Sequence, residues 1–331
     1  MRRIRSCILA SLFVCLMFAA AGLAPEDVQG QALQKPRLGI PTINILTRPI
    51  YIAKDKGFFA AEGLDPEIIY VQGTLEPPAL INGELDFAGS GDTCVRAAAN
   101  GVPLKFIFAM THQPDFMLVV KGNIKTGSDL RGKKIAVSSQ GSLTAIGAKA
   151  AAAALGINPD TDIFLLGLGE QTNRFAALQA GSADGMIVDP GYSLAAQKKG
   201  FNILYRVGDL LELIQVGFSM SNQKLKSDPD LARRFLKGAV RGLVDVQKNP
   251  EDMIQSVMKL RKLSREDATT IYKMELNSFT KDGTPSRKSV ENAIQIALQG
   301  KPGAKPVTYE DLVDLTPLKQ AHKELGITGN Y

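Results

Sequence analysis

From Arg37 onward the chain alternates two kinds of apolar pattern. One is a short, nearly continuous run bounded by glycine, proline, serine or aspartate: "RLGIPTI", "EIIYVQG", "LDFAGS", "LKFIFAM", "FMLVVKG", "KKIAVSS", "DIFLLGL", "DGMIVD", "FNILYRV" and "IQVGFSM". Runs of this length, rich in β-branched and aromatic residues, predict strands, and there are too many for one small sheet. The other is a helical stripe, at 142–155, 171–180 and 190–199, each followed by a glycine. After Met220 the strand-like runs stop. "SDPDLARRFLKGAVRGLVDVQKN", "PEDMIQSVMKL", "SREDATTIYKMELNSF", "SRKSVENAIQIALQ" and "TYEDLVDLTPLKQAHKEL" all read as amphipathic helices, with Ser, Asp or Asn-Pro at their starts.

Strands alternating with helices predict an α/β architecture, with helices on both faces of mostly parallel sheets. The C-terminal helices need an apolar surface, and the N-terminal sheet is the most economical one. The expected organisation is therefore a discontinuous first lobe, 36–120 plus 222–331, and an inserted second lobe, 121–221. Hinges are expected near 120–122 and 218–221.

The first 32 residues fall outside this pattern. Arg2, Arg3 and Arg5 precede an apolar run from Cys7 to about Ala21, followed by small residues, as in a secretory signal peptide. The run is short for a membrane span. A cut after Ala32, with Gly30 at the third position back, fits the small-residue rule and predicts an exported protein.

Composition narrows the function by exclusion. An apolar fraction of 45% and 22% charged residues of both signs describe a globular chain. The net charge of +6 drops by one on loss of the leader, which carries three arginines and two acids. No Lys/Arg cluster interleaved with aromatics points to nucleic acid. Cys7 and Cys15 leave with the leader, so Cys94 remains alone and no internal disulfide is expected. Only His112 and His322 accompany it, which supports no metal or cofactor site. "GLGEQTN" lacks the third glycine of a dinucleotide loop, and no Walker, G-x-S-x-G or H-E-x-x-H pattern occurs. The absence of Trp counts mildly against a sugar.

The stretch "YIAKDKGFFAAEGLD" packs two phenylalanines between glycines after a helical turn. Gly57 ends the helix, Phe58 and Phe59 fold back on the sheet as core, and Pro66 bars helix continuation before "EIIYV". The loop before this helix, "NILTRP", then sits at the carboxyl end of the first strand, where open α/β sheets bind ligands. Thr47 offers a hydroxyl there and Arg48 a bidentate partner for a carboxylate or sulfonate, or else a solvated charge. Two further strand-to-helix loops are rich in glycine and hydroxyls. These are "AGSGDT", with Ser90, Asp92 and Thr93, and "SSQGSLT", with Ser139, Gly141 and Ser142. Such loops bind an anion at a helix N-terminus or simply cap the helix. Asp189 in "VDPGY" is a cap or a cleft contact, with Tyr192 placed to close over a ligand. His112 and Gln113 follow a strand at its carboxyl end.

"RPIYIAKDKGFFAAEGLD", "LINGELDFAGSGD", "RAAANGVPLKFIF", "DLRGKKIAVSSQGS" and "AALQAGSADGMIVDP" occur in the order found in the nitrate/sulfonate/taurine-type solute-binding proteins, the aliphatic-sulfonate-binding and thiamine-precursor-like group. The chain resembles that family over about 37–250. The resemblance implies a bilobal periplasmic-binding-protein type II fold, its lobes joined by two crossover strands, that receives a small-molecule solute and delivers it to the permease and ATPase subunits of an ABC importer. A monomeric, non-enzymatic periplasmic receptor for a small organic anion, sulfonate or carboxylate, is expected. A pyrimidine, thiamine precursor or other heteroaromatic solute is the alternative. Pyrimidine-precursor synthases share the fold, but this chain lacks their cysteine cluster.

Overall fold

The computed structural model describes residues 32–331, so the expected leader lies outside the described residues except for its last position. Each predicted run contains a strand: β1 Arg37–Ile40, β2 Glu67–Tyr70, β3 Phe87–Ser90, β4 Leu104–Ala109, β5 Met117–Val120, β6 Lys133–Val137, β7 Ile163–Gly167, β8 Gly185–Val188, β9 Asn202–Arg206 and β10 Val216–Ser221. They form two five-stranded sheets, ordered β2-β1-β3-β10-β4 and β7-β6-β8-β5-β9. In the first sheet β1 runs parallel to β2 and β3, while β10 runs antiparallel to β3 and β4. The second repeats this plan: β6 is parallel to β7 and β8, and β5 is antiparallel to β8 and β9.

The antiparallel strand of each sheet is the one that the chain contributes from the other side of a crossing. β5 follows the first-sheet strand β4 yet pairs in the second sheet, and β10 follows the second-sheet strand β9 yet pairs in the first. This moves the expected boundaries. The chain crosses within 110–116 and 207–215, ahead of both 120–122 and 218–221, because Met117–Val120 and Val216–Ser221 are already committed to the sheet they enter.

The predicted helices form as Leu143–Ala154, Gln171–Gln179 and Pro190–Gln197, and the C-terminal third is helical. The last predicted helix breaks into Tyr309–Leu312 and Thr316–Leu325. Val313 leaves the helix to bridge Phe106 of β4, and Pro317 starts a new one.

Helix Pro229–Lys248 covers the first sheet with Leu231, Phe235, Leu236, Ala239, Val240, Leu243 and Val246. Two glycines let it approach closely. A Cβ at Gly242 would lie 2.3 Å from the Pro49 carbonyl oxygen, and one at Gly238 2.4 Å from the Phe59 ring. Under this helix four rings meet. Phe235 stacks on Phe87 at 3.9 Å between centroids and on Phe59 at 5.2 Å, and meets Phe218 edge-on at 5.3 Å. The aromatic corner is thus half core. Phe59 is buried, whereas Phe58 is half-buried beneath the Arg241 guanidinium at 4.4 Å. Gly57, at φ 72°, turns the chain between helix Arg48–Asp55 and these rings.

Candidate functional site

The carboxyl ends of the parallel strands in both sheets face a cavity of ≈ 50 Å³ between the lobes. From the first lobe it is lined by Pro41, Thr42 and Gly73, and by Ser90, Asp92 and Thr93 at the start of helix Gly91–Ala99. The second lobe supplies Ser138, Ser142, Leu143 and Thr144 at the start of helix Leu143–Ala154, and Arg174 from helix Gln171–Gln179. Phe116 and Gln215 come from the two crossing segments.

Of the residues singled out in the sequence, Ser90, Asp92, Thr93 and Ser142 line this cavity. Their roles are partly structural. The amides of Gly91 and Asp92, which an anion would use, donate to the carbonyls of Gln215 and Ile214 at 3.2 and 2.7 Å. The start of that helix is therefore occupied by the returning chain, and its hydroxyls remain as the polar groups. Asp92 accepts from Arg96 Nε at 2.8 Å, an ion pair within one helical turn. On the opposite wall the hydroxyls form a chain: Thr144 Oγ1 accepts from the Ser138 amide at 2.9 Å and lies 2.7 Å from Ser142 Oγ, which caps the helix at the Ala145 amide.

Ser139 and Gly141 stand on the rim, where they hold the lobes together. Ser139 Oγ lies 3.3 Å from Thr74 Oγ1, Arg96 Nη2 donates to the Gly141 carbonyl at 3.0 Å, and Gln72 Nε2 donates to the Ser138 carbonyl at 2.6 Å. Deeper in, Gln171 Nε2 reaches Thr42 Oγ1 at 3.4 Å, and Arg261 of the first lobe pairs with Asp189 of the second. Asp189 is fully engaged. It caps helix Pro190–Gln197 at the Tyr192 amide, 3.0 Å, and also accepts from Gln171 Nε2 at 2.8 Å. Tyr192 lies under the Arg261 guanidinium at 4.3 Å, so both residues belong to the seam behind the cavity and not to its wall.

Four other expected contacts lie elsewhere. Thr47 is buried in a capping box with Asn44. Arg48 faces away from the cleft: it stacks on Tyr51 at 4.4 Å and donates to Ser256 at 2.6 Å, in a surface depression against helix Pro250–Arg261. Residues three apart on a helix share a face, so Arg48 follows Tyr51 outward. His112 opens onto a different depression, with Nε2 2.6 Å from the Asn277 carbonyl oxygen, and its neighbour Gln113 does not line the cavity.

Two cavity residues escape a reading of the sequence. Arg174 and Gln215 are each 4% exposed, and each has a buried donor nitrogen without a hydrogen-bond partner among the described residues, Nε of Arg174 and Nε2 of Gln215. Burial lowers the Arg174 pKa to about 10, which leaves the guanidinium charged at neutral pH. Behind the wall Glu76 is fully buried. It accepts from the Ser90 amide at 2.7 Å, and desolvation pushes its carboxyl up to about 8. Asp115, also buried, accepts from Asn44 Nδ2 at 2.9 Å and is pushed up to about 7 by desolvation and by Asp189. Cys94 is buried too, its thiol raised to about 12 by desolvation, which is the environment of an inert cysteine.

Comparison with known proteins places this geometry. The chain is 27% identical over 242 residues to the riboflavin-binding protein RibY of Chloroflexus aurantiacus, covering 71% of this chain and 68% of that one. The structure matches the alkanesulfonate-binding protein SsuA from Xanthomonas axonopodis pv. citri, bound to MOPS, with TM-score 0.65 at 20% identity over 87% of this chain and 97% of that one. It matches the periplasmic nitrate-binding protein NrtA from Synechocystis with TM-score 0.66 at 15% identity, over 88% and 89%. The two sheets thus have the periplasmic-binding-protein fold. The NMT1/THI5-like family model matches residues 44–253, and the chain belongs to that family.

Proposed function

We propose that this protein is the periplasmic solute-binding receptor of an ABC importer, which closes its lobes on a small organic anion, a sulfonate or carboxylate, and presents it as a monomer to the membrane permease. The observation that carries this reading is the cavity itself. Hydroxyls from both lobes line one space, and bonds between the lobes border it. A solute that touches both lobes favours the closed state. The family membership supports the same role, as do the binding functions named for RibY, SsuA and NrtA. Binding without chemistry fits a cavity whose one lining carboxylate, Asp92, is held in an ion pair with Arg96 and whose neighbouring Cys94 is inert.

Thermal unfolding of the chain without its leader, against alkanesulfonates, carboxylates, nitrate, pyrimidines and riboflavin, tests the reading. A ligand at a hundred times its Kd adds about 2.7 kcal/mol of stability. Stabilisation by one anionic class is the expected result. Stabilisation by pyrimidines or riboflavin alone would replace the anion by a heteroaromatic solute. In the same assay Arg48→Ala is expected to leave affinity for the stabilising anion within about twofold of wild type, since surface changes away from a site cost about 0.5 kcal/mol or less. A tenfold loss, about 1.4 kcal/mol, would return Arg48 to the binding set.

A further inference from the structure

We infer that Arg261 is a latch between the lobes: its guanidinium holds them together through contacts with residues outside the cavity lining, and so adds to the affinity for whatever solute the cavity takes. The effect on affinity rests on the receptor reading above, whereas the latch itself does not.

Arg261 is the last residue of helix Pro250–Arg261 in the first lobe. Lys262 then turns the chain out of the helix at φ 52°, the one positive φ at a residue other than glycine among the described residues. The Arg261 side chain leaves its own lobe. It pairs with Asp189 and lies 4.3 Å from the centre of the Tyr192 ring, both at the start of helix Pro190–Gln197 in the second lobe. A planar guanidinium stacks by its face while it donates at its edge, which an ammonium cannot do. Both partners are themselves fixed. Phe175 meets Tyr192 edge-on at 5.7 Å, and Asp189 also accepts from the Tyr192 amide at 3.0 Å and from Gln171 Nε2 at 2.8 Å. The same Nε2 lies 3.4 Å from Thr42 Oγ1, and Thr42 lines the cavity. Asp189 and Gln171 thus connect the latch to the cavity wall.

Burial decides which interlobe pair matters. The Asp189 side chain is 2% exposed and that of Arg261 17%. Lys198 and Asp267, paired at 2.7 Å across the same seam, are more open, with Lys198 58% exposed. An exposed pair contributes little, whereas a buried carboxylate that loses its partner keeps its desolvation penalty. Nearby acids add to that penalty. Asp115 on a crossing segment and Glu275 at the end of helix Arg265–Glu275 both have their pKa raised by burial first and by the Asp189 charge as well. Arg206, the cation acting on Glu275, belongs to β9 of the second lobe and donates to the Met274 carbonyl at 3.4 Å. Without Arg261, Asp189 has no ion-pair partner in the first lobe, and parting the lobes returns it to water.

The test compares the chain without its leader with Arg261→Met, Lys198→Ala and the double variant Arg261→Met/Asp189→Asn. Small-angle X-ray scattering is recorded without added solute, and calorimetric titration uses methanesulfonate, acetate, nitrate, cytosine and riboflavin as probes. Wild-type scattering should match the arrangement of the lobes described above. Arg261→Met should have a larger radius of gyration. It should also bind whichever probe wild type binds about 10- to 100-fold more weakly, because the apparent Kd rises as the closed fraction falls. Lys198→Ala, which breaks only the exposed pair, should stay within about twofold of wild type. The double variant leaves no carboxylate unpaired at position 189, and its asparagine still accepts from the Tyr192 amide and Gln171. It should return both readings toward wild type. A merely structural arginine would lower the unfolding temperature of Arg261→Met and leave its radius of gyration unchanged, which overturns the inference. Wild-type scattering as expanded as that of Arg261→Met overturns it as well. If wild type binds no probe, the receptor reading loses support, and scattering alone decides for or against the latch.

Discussion

Replacing Phe235 by alanine is expected to lower stability by about 3–5 kcal/mol, the range for truncating a large buried aromatic. Phe235 joins three parts of the chain that are far apart in sequence. It stacks on Phe59 of the aromatic corner and Phe87 of β3, and it meets Phe218 of β10 edge-on. Without the ring the other three lose a shared partner, and Gly238 and Gly242 prevent the helix from filling the void, since they already bring its backbone against Phe59 and Pro49. Urea denaturation followed by far-ultraviolet circular dichroism measures the loss. A change below about 1 kcal/mol would mean that the rings are loosely packed and that the corner is held by something else. The corner itself touches no part of the cavity wall.

The second large effect concerns pH. Glu76 has a folded-state pKa of about 8, raised by burial, against about 4.5 when the chain is unfolded. Between those values the folded protein keeps a proton that the unfolded chain has released, so stability falls as pH rises. The slope is about 1.4 kcal/mol per pH unit for one group, or about 4 kcal/mol between pH ~5 and pH ~8. Below pH ~4.5 both states are protonated and the penalty is absent. Asp115, raised to about 7, and Glu275, raised by burial beside Asp115 and Asp189, act in the same sense. Glu76→Gln keeps an acceptor for the Ser90 amide and cannot ionise. It should match wild type near pH 5, exceed it by several kcal/mol near pH 8, and flatten the profile without abolishing its slope. Parallel profiles for the two proteins would show that Glu76 titrates normally and that water reaches it.

Much of this fold is legible in the sequence because its strands are short, apolar and ended by turn residues, a signal that depends on no distant partner. The sheet to which each strand belongs is not legible. β5 and β10 are as apolar as their neighbours, and nothing within "FMLVVKG" or "IQVGFSM" says that each is inserted beside strands made before or after a whole lobe. The same divide runs through the site. Ser90, Asp92, Thr93 and Ser142 stand out because glycine- and hydroxyl-rich loops between strand and helix have a local signature. Arg174 lies within "QTNRFAALQA", where an arginine reads as a solvated helical charge, and Gln215 lies within "IQVGFSM", where it reads as the start of a strand. The packing of helix Gln171–Gln179 against β8 and β6 buries the one, and the return of the chain across the cleft brings the other to the cavity. Arg48 fails in the opposite direction. Its loop position favours the cleft, but the ring of Tyr51 one turn away gives its guanidinium a better surface outside.

The exchange of β5 and β10 also sets the order in which the two sheets can be completed. The second sheet is built entirely from Met117–Arg206, whereas the first lacks the strand between β3 and β4 until Val216–Ser221 has been made. A chain emerging from its N-terminus holds β3 and β4 with their inner edges open while the second lobe can already close. Contacts of such long sequence separation form late. The first lobe is thus the one whose sheet is completed last.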